Sequence, residues 1–318
     1  MKTILLSAPY MLTYLDRFKP ILESFGLELI TPTVRERLEE VELLQLAGKF
    51  DGAICGDDRF TERVLEACFP RLKVISKWGT GVDSIDAHAC KKLGIKLTRT
   101  PNAFTLPVSD SVLGYILAFA RRLPWMDMKM KAGRWEKVLG RSLSECNLGV
   151  IGVGNIGKAV IHRAHAFGMN IFGNDIIEID PQFLVDHQVT MVSIAKLAAE
   201  SDFISVNADL NPTSIHLIND HFFSLVKPGA ILINTARGPI VDQSALVRAL
   251  QSGLLTGAAL DVFEQEPLPE DSPLKAMENV MLAPHNSNSS PQAWEKVHLN
   301  TIRNLLDGLE ISSEGLTI

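Results

Sequence analysis

Leu148-Gly149-Val150-Ile151-Gly152-Val153-Gly154-Asn155-Ile156-Gly157 is an apolar run that ends in a GxGxxG turn and opens onto a stretch of helical period, Lys158 to Phe167. That order decides the fold, because each glycine meets a different demand of a strand–turn–helix phosphate site. One permits the tight turn, one lets backbone approach a pyrophosphate, and one lets the helix pack on its strand. Asp175 follows the next apolar segment, Asn170–Phe172, eighteen residues beyond Gly157. A carboxylate there accepts hydrogen bonds from the adenosine ribose hydroxyls and repels a 2′-phosphate. Ile176 and Ile177 come next instead of a basic residue. Gly152, Gly154, Asn155, Ile156, Gly157 and Asp175 are therefore the candidate dinucleotide contacts, with NAD favoured over NADP. A simple βα turn or a methyltransferase loop would show the same glycines; the strand, the helix and Asp175 carry the reading.

The alternation runs outward in both directions. Upstream, Thr3–Leu6, Leu27–Ile30, Gly52–Cys55 and Lys73–Ser76 read as strands, separated by helix-like stretches at 35–47 and 61–68. Downstream, Phe203–Val206, Ala230–Ile233, Ala258–Leu260 and Val280–Leu282 continue the series. This pattern predicts an α/β protein with two doubly wound parallel sheets. Between the series, Leu106 to Leu123 predicts a long connecting helix stopped near Pro124, and Pro291 to Leu309 predicts a closing helix.

Composition agrees with a folded chain. The 318 residues suffice for about two domains at ~150 residues each, and hence for a cleft between them. With 46% hydrophobic and 21% charged residues the chain is not disordered, and a formal charge of −6 gives no diffuse attraction for nucleic acid or anionic membranes. Cys55, Cys68, Cys90 and Cys146 have neither CxxC nor zinc-ligand spacing, which fits reduced thiols and a cytoplasmic location. The start Ile4-Leu5-Leu6 is too short for a signal-peptide core, and Val112–Ala120 falls well short of the roughly 20 residues of a membrane span.

Three motifs begin at predicted strand ends: Leu232-Ile233-Asn234-Thr235-Ala236-Arg237, Ala259-Leu260-Asp261 with Glu266 five residues on, and Leu282-Ala283-Pro284-His285. Ligands gather at the carboxyl ends of strands in open α/β sheets, so Arg237, Asp261 and His285 are expected to face the crevice of the glycine loop. Hydride transfer between a nicotinamide and an α-carbon needs a cation for the carboxylate and carbonyl, and a group that exchanges the hydroxyl proton. Arg237 suits the first role and His285 the second, with Glu266 favouring the imidazolium. Each of these residues alone would pass for a surface charge or a structural histidine; together they form a constellation. His162 and His165, three apart on a predicted helix, read as plain helix surface, and no metal is expected.

These motifs resemble the D-isomer-specific 2-hydroxyacid dehydrogenases, the group containing phosphoglycerate, D-lactate, glycerate and hydroxypyruvate enzymes, over essentially the whole chain. The resemblance implies that Arg237, Glu266 and His285 are catalytic. It implies that Asp261 receives the nicotinamide carboxamide, although Asp261 also suits a strand-end turn. Thr235 and Ala236 would line the nicotinamide ribose, and Asn207, Ala208 and Asn288 would complete the cofactor contacts. Lys77-Trp78-Gly79-Thr80-Gly81 resembles the loop whose amides bind the substrate carboxylate, with Lys77 adding positive charge at its mouth; a bland strand-to-helix turn is the alternative.

The sequence departs from the family at several places. Cys55-Gly56-Asp57-Asp58 stands where phosphoglycerate enzymes carry Arg-Ser, which weakens the case for a phosphorylated substrate, though Arg59 offers partial compensation. Asn207-Ala208-Asp209-Leu210-Asn211 replaces a His-x-Pro-Leu-Thr pattern, and Asn286-Ser287-Asn288-Ser289 replaces a glycine-rich run, making the nicotinamide end more polar. Trp135 matches a tryptophan common in the family and reads as packing.

The resulting expectation is a Rossmann NAD-binding domain, 100–285, inserted into a flavodoxin-like substrate domain, 1–99 with 286–318, closing on a small anionic 2-keto or 2-hydroxy acid. The regulatory C-terminal domain of longer phosphoglycerate enzymes is expected to be absent, since only about a dozen residues follow the closing helix. The resemblance also implies a homodimer through the nucleotide domain, for which the 106–123 segment is one candidate face and an intramolecular core helix its alternative. Other functions are an NAD(H)-sensing binding protein or corepressor of the same fold, against which all three catalytic residues argue, and a phosphite dehydrogenase. Glu266 counts against a formate enzyme, which resembles a Gln-His pair.

Overall fold

The computed structural model describes residues 1–316. The chain divides into two compact units, Met1–Phe104 together with the segment from Ser290 onward, and Thr105–Ser289. The breaks lie at 104/105 and 289/290, four or five residues later than the expected 99/100 and 285/286.

The first unit holds five parallel strands, β1 (Lys2–Leu6), β2 (Leu27–Ile30), β3 (Gly52–Cys55), β4 (Val74–Lys77) and β5 (Lys96–Thr98), in the order β2-β1-β3-β4-β5. This is the flavodoxin-like order, with its switch point between β1 and β3. Alternation along β1 sends Leu5 to one face, among Leu43, Phe50, Phe60 and Val64, and Ile4 and Leu6 to the other, among Phe18, Leu22 and Leu305. A sheet buried on both faces needs such continuously apolar strands. The closing helix Pro291–Gly308 supplies the second cover through Val297, Ile302, Leu305 and Leu306, its start capped by the Ser290 hydroxyl.

The second unit holds seven parallel strands: β6 (Asn147–Ile151), β7 (Asn170–Asn174), β8 (Val189–Met191), β9 (Phe203–Val206), β10 (Ala230–Asn234), β11 (Leu255–Leu260) and β12 (Val280–Leu282). Their order is β12-β11-β10-β9-β6-β7-β8. Counted from β6 this is the 3-2-1-4-5-6 dinucleotide-binding order with one more strand at the edge. Leu148 and Val150 face the helix Thr105–Arg121 through Val112, Ile116 and Phe119, while Ile151 faces Phe222, Phe223 and Leu246.

Several sequence-based boundaries shift. The 35–47 helix shrinks to Glu40–Leu46, begun by a reciprocal Glu39/Glu42 capping box. The connecting helix ends at Arg121; Pro124 lies in the first turn of a following helix, Leu123–Lys131, entered through Arg122 at φ +56°. Strands β5 and β8 add two edges absent from the sequence-based series. Among the described residues, no helix is long and apolar enough to cross a membrane. All four cysteines are buried and free.

Candidate active site

The glycine turn lies where β6 and β9, the two strands on either side of the strand-order reversal, end together. A Cβ on Gly152, whose φ is +87°, would stand 2.6 Å from the Ala208 amide nitrogen, and one on Gly157 would strike the Gly152 carbonyl oxygen. Only hydrogen fits at either place. Gly154 differs, since nothing lies within 4 Å of a Cβ there. It is the N-cap of the helix Asn155–Ala166 and offers no side-chain cap, so the first-turn N–H groups and the helix dipole are presented to an anion instead. The helix begins three residues earlier than its periodicity suggests, which places Asn155, Ile156 and Gly157 in the first turn.

Asp175 reaches back to this turn. One carboxylate oxygen accepts the Val153 N–H at 2.6 Å and the other the Ile177 N–H at 3.1 Å. The acid anchors the glycine loop through both carboxylate oxygens. Asn207 follows β9, its N–H donated to Ile151 O at 2.7 Å and its Nδ2 tied to Ser205, while its buried Oδ1 has no partner. Thr235, after β10, likewise carries a buried Oγ1 without a partner. Buried polar atoms left unsatisfied are costly, and these two, at the ends of β9 and β10 in the sheet whose β6 carries the glycine turn, fit a polar dinucleotide.

Arg237, Asp261 with Glu266, and His285 follow β10, β11 and β12, three neighbouring strands, at their carboxyl ends. Asn234 shapes the first of these loops: its Oδ1 accepts the Ala236 N–H at 3.1 Å and its Nδ2 donates to Arg237 O at 3.0 Å. The Arg237 guanidinium is half-buried and donates to Ala236 O at 2.9 Å. Glu266 Oε1 accepts the Phe263 N–H at 2.9 Å, and Oε2 stands 3.0 Å from His285 Nδ1. The two side chains are 17% and 20% exposed, so the pair is shielded without being sealed.

His285 takes φ +52°, a left-handed conformation uncommon outside glycine, and Asp261 accounts for it. The Asp261 carbonyl accepts the His285 N–H at 2.8 Å, while its fully buried carboxylate accepts the N–H groups of Asn286 at 2.7 Å and Ser287 at 2.8 Å. Both oxygens thus hold the loop that carries His285 and the half-buried Asn288, a role weighed in the sequence only as a strand-end turn. Burial first, and then the Asp261 charge, push the nearby Tyr115 phenol up.

In the first unit, Gly79, Thr80 and Gly81 follow β4. Thr100 N–H donates to Gly79 O and Thr80 Oγ1 to Thr100 O, both at 2.8 Å, whereas the N–H groups of Gly79, Thr80 and Gly81 have no partner among the described residues. Successive amides of this kind form an anion nest. Lys77 does not stand at the mouth, because it is 4% exposed, with Nζ 3.2 Å from Asp57 Oδ1 and donating to Trp78 O at 3.0 Å. Beside it, burial raises the Asp58 carboxyl to about 6, against hydrogen bonds from Ser7 and the Leu38 N–H.

Two structural features escaped the sequence reading. His187, the C-cap of the helix Pro181–Asp186, brings Nε2 to 3.1 Å from His162 Nδ1, so that surface is a histidine pair with His165 beside it. Trp135, expected to pack, is 84% exposed, and the Thr105–Arg121 helix lies in the core of its own unit through Val112, Ile116 and Phe119, the alternative weighed in the sequence.

The family model for the D-isomer specific 2-hydroxyacid dehydrogenase NAD binding domain matches residues 113–287. A glyoxylate reductase of Korarchaeum cryptofilum is 38% identical over 255 residues, covering 78% of this chain and 76% of that protein. The human D-3-phosphoglycerate dehydrogenase is 37% identical over 281 residues, 87% of this chain but only 52% of that longer protein. Among solved structures, a D-lactate dehydrogenase of Aquifex aeolicus complexed with NAD and lactic acid superposes with a TM-score of 0.84 at 28% identity, over 97% of each chain. A match across more than half the chain, joined to that identity and coverage, settles the relationship: the chain belongs to the D-isomer specific 2-hydroxyacid dehydrogenases and is an NAD-dependent oxidoreductase.

Proposed function

We propose that this protein interconverts a small anionic 2-keto acid and the corresponding D-2-hydroxy acid, using Arg237, Glu266 and His285. The observation that carries the reading is the 3.0 Å contact of Glu266 Oε2 with His285 Nδ1, at the end of a strand two places from the one that presents Arg237. NAD(H) supplies or accepts the hydride at C2. Arg237 holds the carboxylate by its planar fork and polarises the keto oxygen. With Nδ1 turned to Glu266, Nε2 of His285 is the nitrogen we assign to the proton: it protonates the keto oxygen in reduction and accepts the hydroxyl proton in oxidation. Asp261 positions His285 through the loop backbone, and Lys77, Gly79, Thr80 and Gly81 of the first unit are assigned to substrate binding. Gly152, Gly154, Asn155, Ile156, Gly157, Asp175, Asn207, Ala208, Thr235, Ala236 and Asn288 are assigned to the cofactor. On this reading the second unit is the NAD-binding domain and the first the substrate domain.

The decisive assay follows NADH oxidation with glyoxylate, hydroxypyruvate, pyruvate and branched keto acids. Turnover with at least one is expected, lost in Arg237→Ala and His285→Ala while NADH still binds. Full activity in either variant, or no turnover with any keto acid, would overturn the assignment.

We further infer a homodimer joined through the nucleotide-binding unit. Leu123, Met128, Met130, Trp135 and Leu139 are all at least half exposed along 123–139, interspersed with charged residues, and large apolar side chains so exposed suit burial against another protein surface. A second copy suits it, and light scattering that finds only monomers would exclude it. Four buried free thiols support a reducing, cytoplasmic setting.

A further inference from the structure

Charge is distributed unexpectedly around the Gly79–Gly81 loop. Parallel pairing of β3 with β4 sets Cys55 beside Lys77 in register, so Asp57, two residues past Cys55, reaches the lysine amine. The amine lies directly beneath the loop, 3.6 Å from where a Cβ on Gly79 would stand. Asp58 is wholly buried at the same strand end, tied to the Ser7 hydroxyl after β1, so the two acids occupy the switch point of the first sheet. Arg99 also touches the loop, at Thr80 O, but is exposed to solvent, where its field is screened. Lys77 is the buried cation, and a buried charge acts through low dielectric far more strongly than an exposed one.

We propose that the Asp57–Lys77 ion pair is a specificity device: it cancels the cation beneath the amide nest and thereby selects singly charged 2-keto acids over phosphorylated ones. This rests on the reading of the 79–81 loop as a carboxylate site. A phosphate ester carried on the same acid adds about −1.5 to −2 charge at neutral pH close to the nest, where the lysine is already matched by one carboxylate with a second acid behind it. A single carboxylate asks only for the amide donors. Asp57 touches no substrate in this scheme and works by holding Lys77.

The test compares kcat/KM for hydroxypyruvate and 3-phosphohydroxypyruvate, with NADH, in the full-length protein. The wild type is expected to favour hydroxypyruvate. Asp57→Asn is expected to shift the ratio at least tenfold toward the phosphorylated acid, Asp57→Glu to leave it near the wild-type value, and Asp57→Asn with Lys77→Met to bring it back. Asp57→Ser, a second neutral variant, is expected to shift the ratio in the same direction, and melting curves show which variants are folded, which keeps the test decisive if one of them fails to fold. Hydroxypyruvate turnover with a wild type that prefers the phosphorylated acid, or with an equal ratio in the wild type and Asp57→Asn or Asp57→Ser, would overturn the ion-pair assignment and leave the enzyme assignment standing. Absence of turnover with every keto acid would overturn both.

Discussion

Glu266 meets His285 through a carboxylate that is itself fixed, one oxygen on the Phe263 N–H and the other 3.0 Å from the imidazole Nδ1. The acid therefore orients the ring, and on the proposed mechanism it leaves Nε2 as the nitrogen that carries the exchanging proton. Replacing His285 by Ala should lower kcat by roughly 10²–10⁴-fold. Replacing Glu266 by Ala should lower it by roughly 10–100-fold, the usual loss for an orienting partner. NADH affinity, read by calorimetry, should stay within a few-fold in both.

Asp261 receives two backbone N–H groups with one carboxylate. Asp261→Asn keeps one acceptor and sets an NH₂ against the other donor, so the loop of His285 should loosen. Stability should fall by about 1–3 kcal/mol in urea unfolding, the cost of a buried donor left unmade, and kcat should fall with it. A variant as stable and as active as the wild type would remove Asp261 from this role.

The glycines of the turn should separate folding from cofactor binding. Gly157→Ala places a methyl group against the Gly152 carbonyl and should lower the melting temperature even without cofactor. Gly154→Ala meets open space, so its melting temperature should match the wild type while NADH binding weakens. Equal effects of the two on stability would contradict the geometry.

Acid should act on the first unit through two opposed groups. Burial depresses His298 to about 4, and its Nδ1 accepts the Trp78 Nε1–H at 3.0 Å, which protonation would break. The unfolded chain thus binds the extra proton between about pH 6.5 and 4, and stability falls as pH falls through that window. Asp58 does the reverse: raised to about 6, it holds a proton that the unfolded chain has lost, so stability falls as pH rises from about 3.8 to 6. Each effect is on the order of 3 kcal/mol and they oppose one another. Melting temperature should vary little from pH 4 to 6 on their account. Asp58→Asn should fall in stability toward acid, and His298→Asn should fall toward neutrality.

Much of this was legible because it is local. GxGxxG, Asp175 and the three loops after β10, β11 and β12 each lie within one short stretch, and strand ends that share a sheet must share a crevice. What stayed hidden depends on partners far apart in the chain. β5 (Lys96-Leu97-Thr98) and β8 (Val189-Thr190-Met191) are short edge strands whose polar residues interrupt the apolar run by which the equally short β12 (Val280-Met281-Leu282) was legible. Lys77 looked like a free cation because nothing in Lys77–Gly81 reveals that β3 lies beside β4 and delivers Asp57 to its amine. His187 is equally silent about His162, twenty-five positions away. Trp135 followed a family habit of packing, but in this chain it is left largely exposed.

The four buried thiols give the molecule a built-in clock for its own opening. Three of them, Cys55, Cys68 and Cys90, belong to the first unit and one, Cys146, to the second. Burial also pushes the Cys55 thiol well above its ordinary range, so in the folded chain it has almost no thiolate with which to react. Labelling by a disulfide reagent can proceed only when a unit opens. Three sulfurs released together report breathing of the first unit, and a single one reports the second, so stoichiometry against time separates the two without any engineered probe.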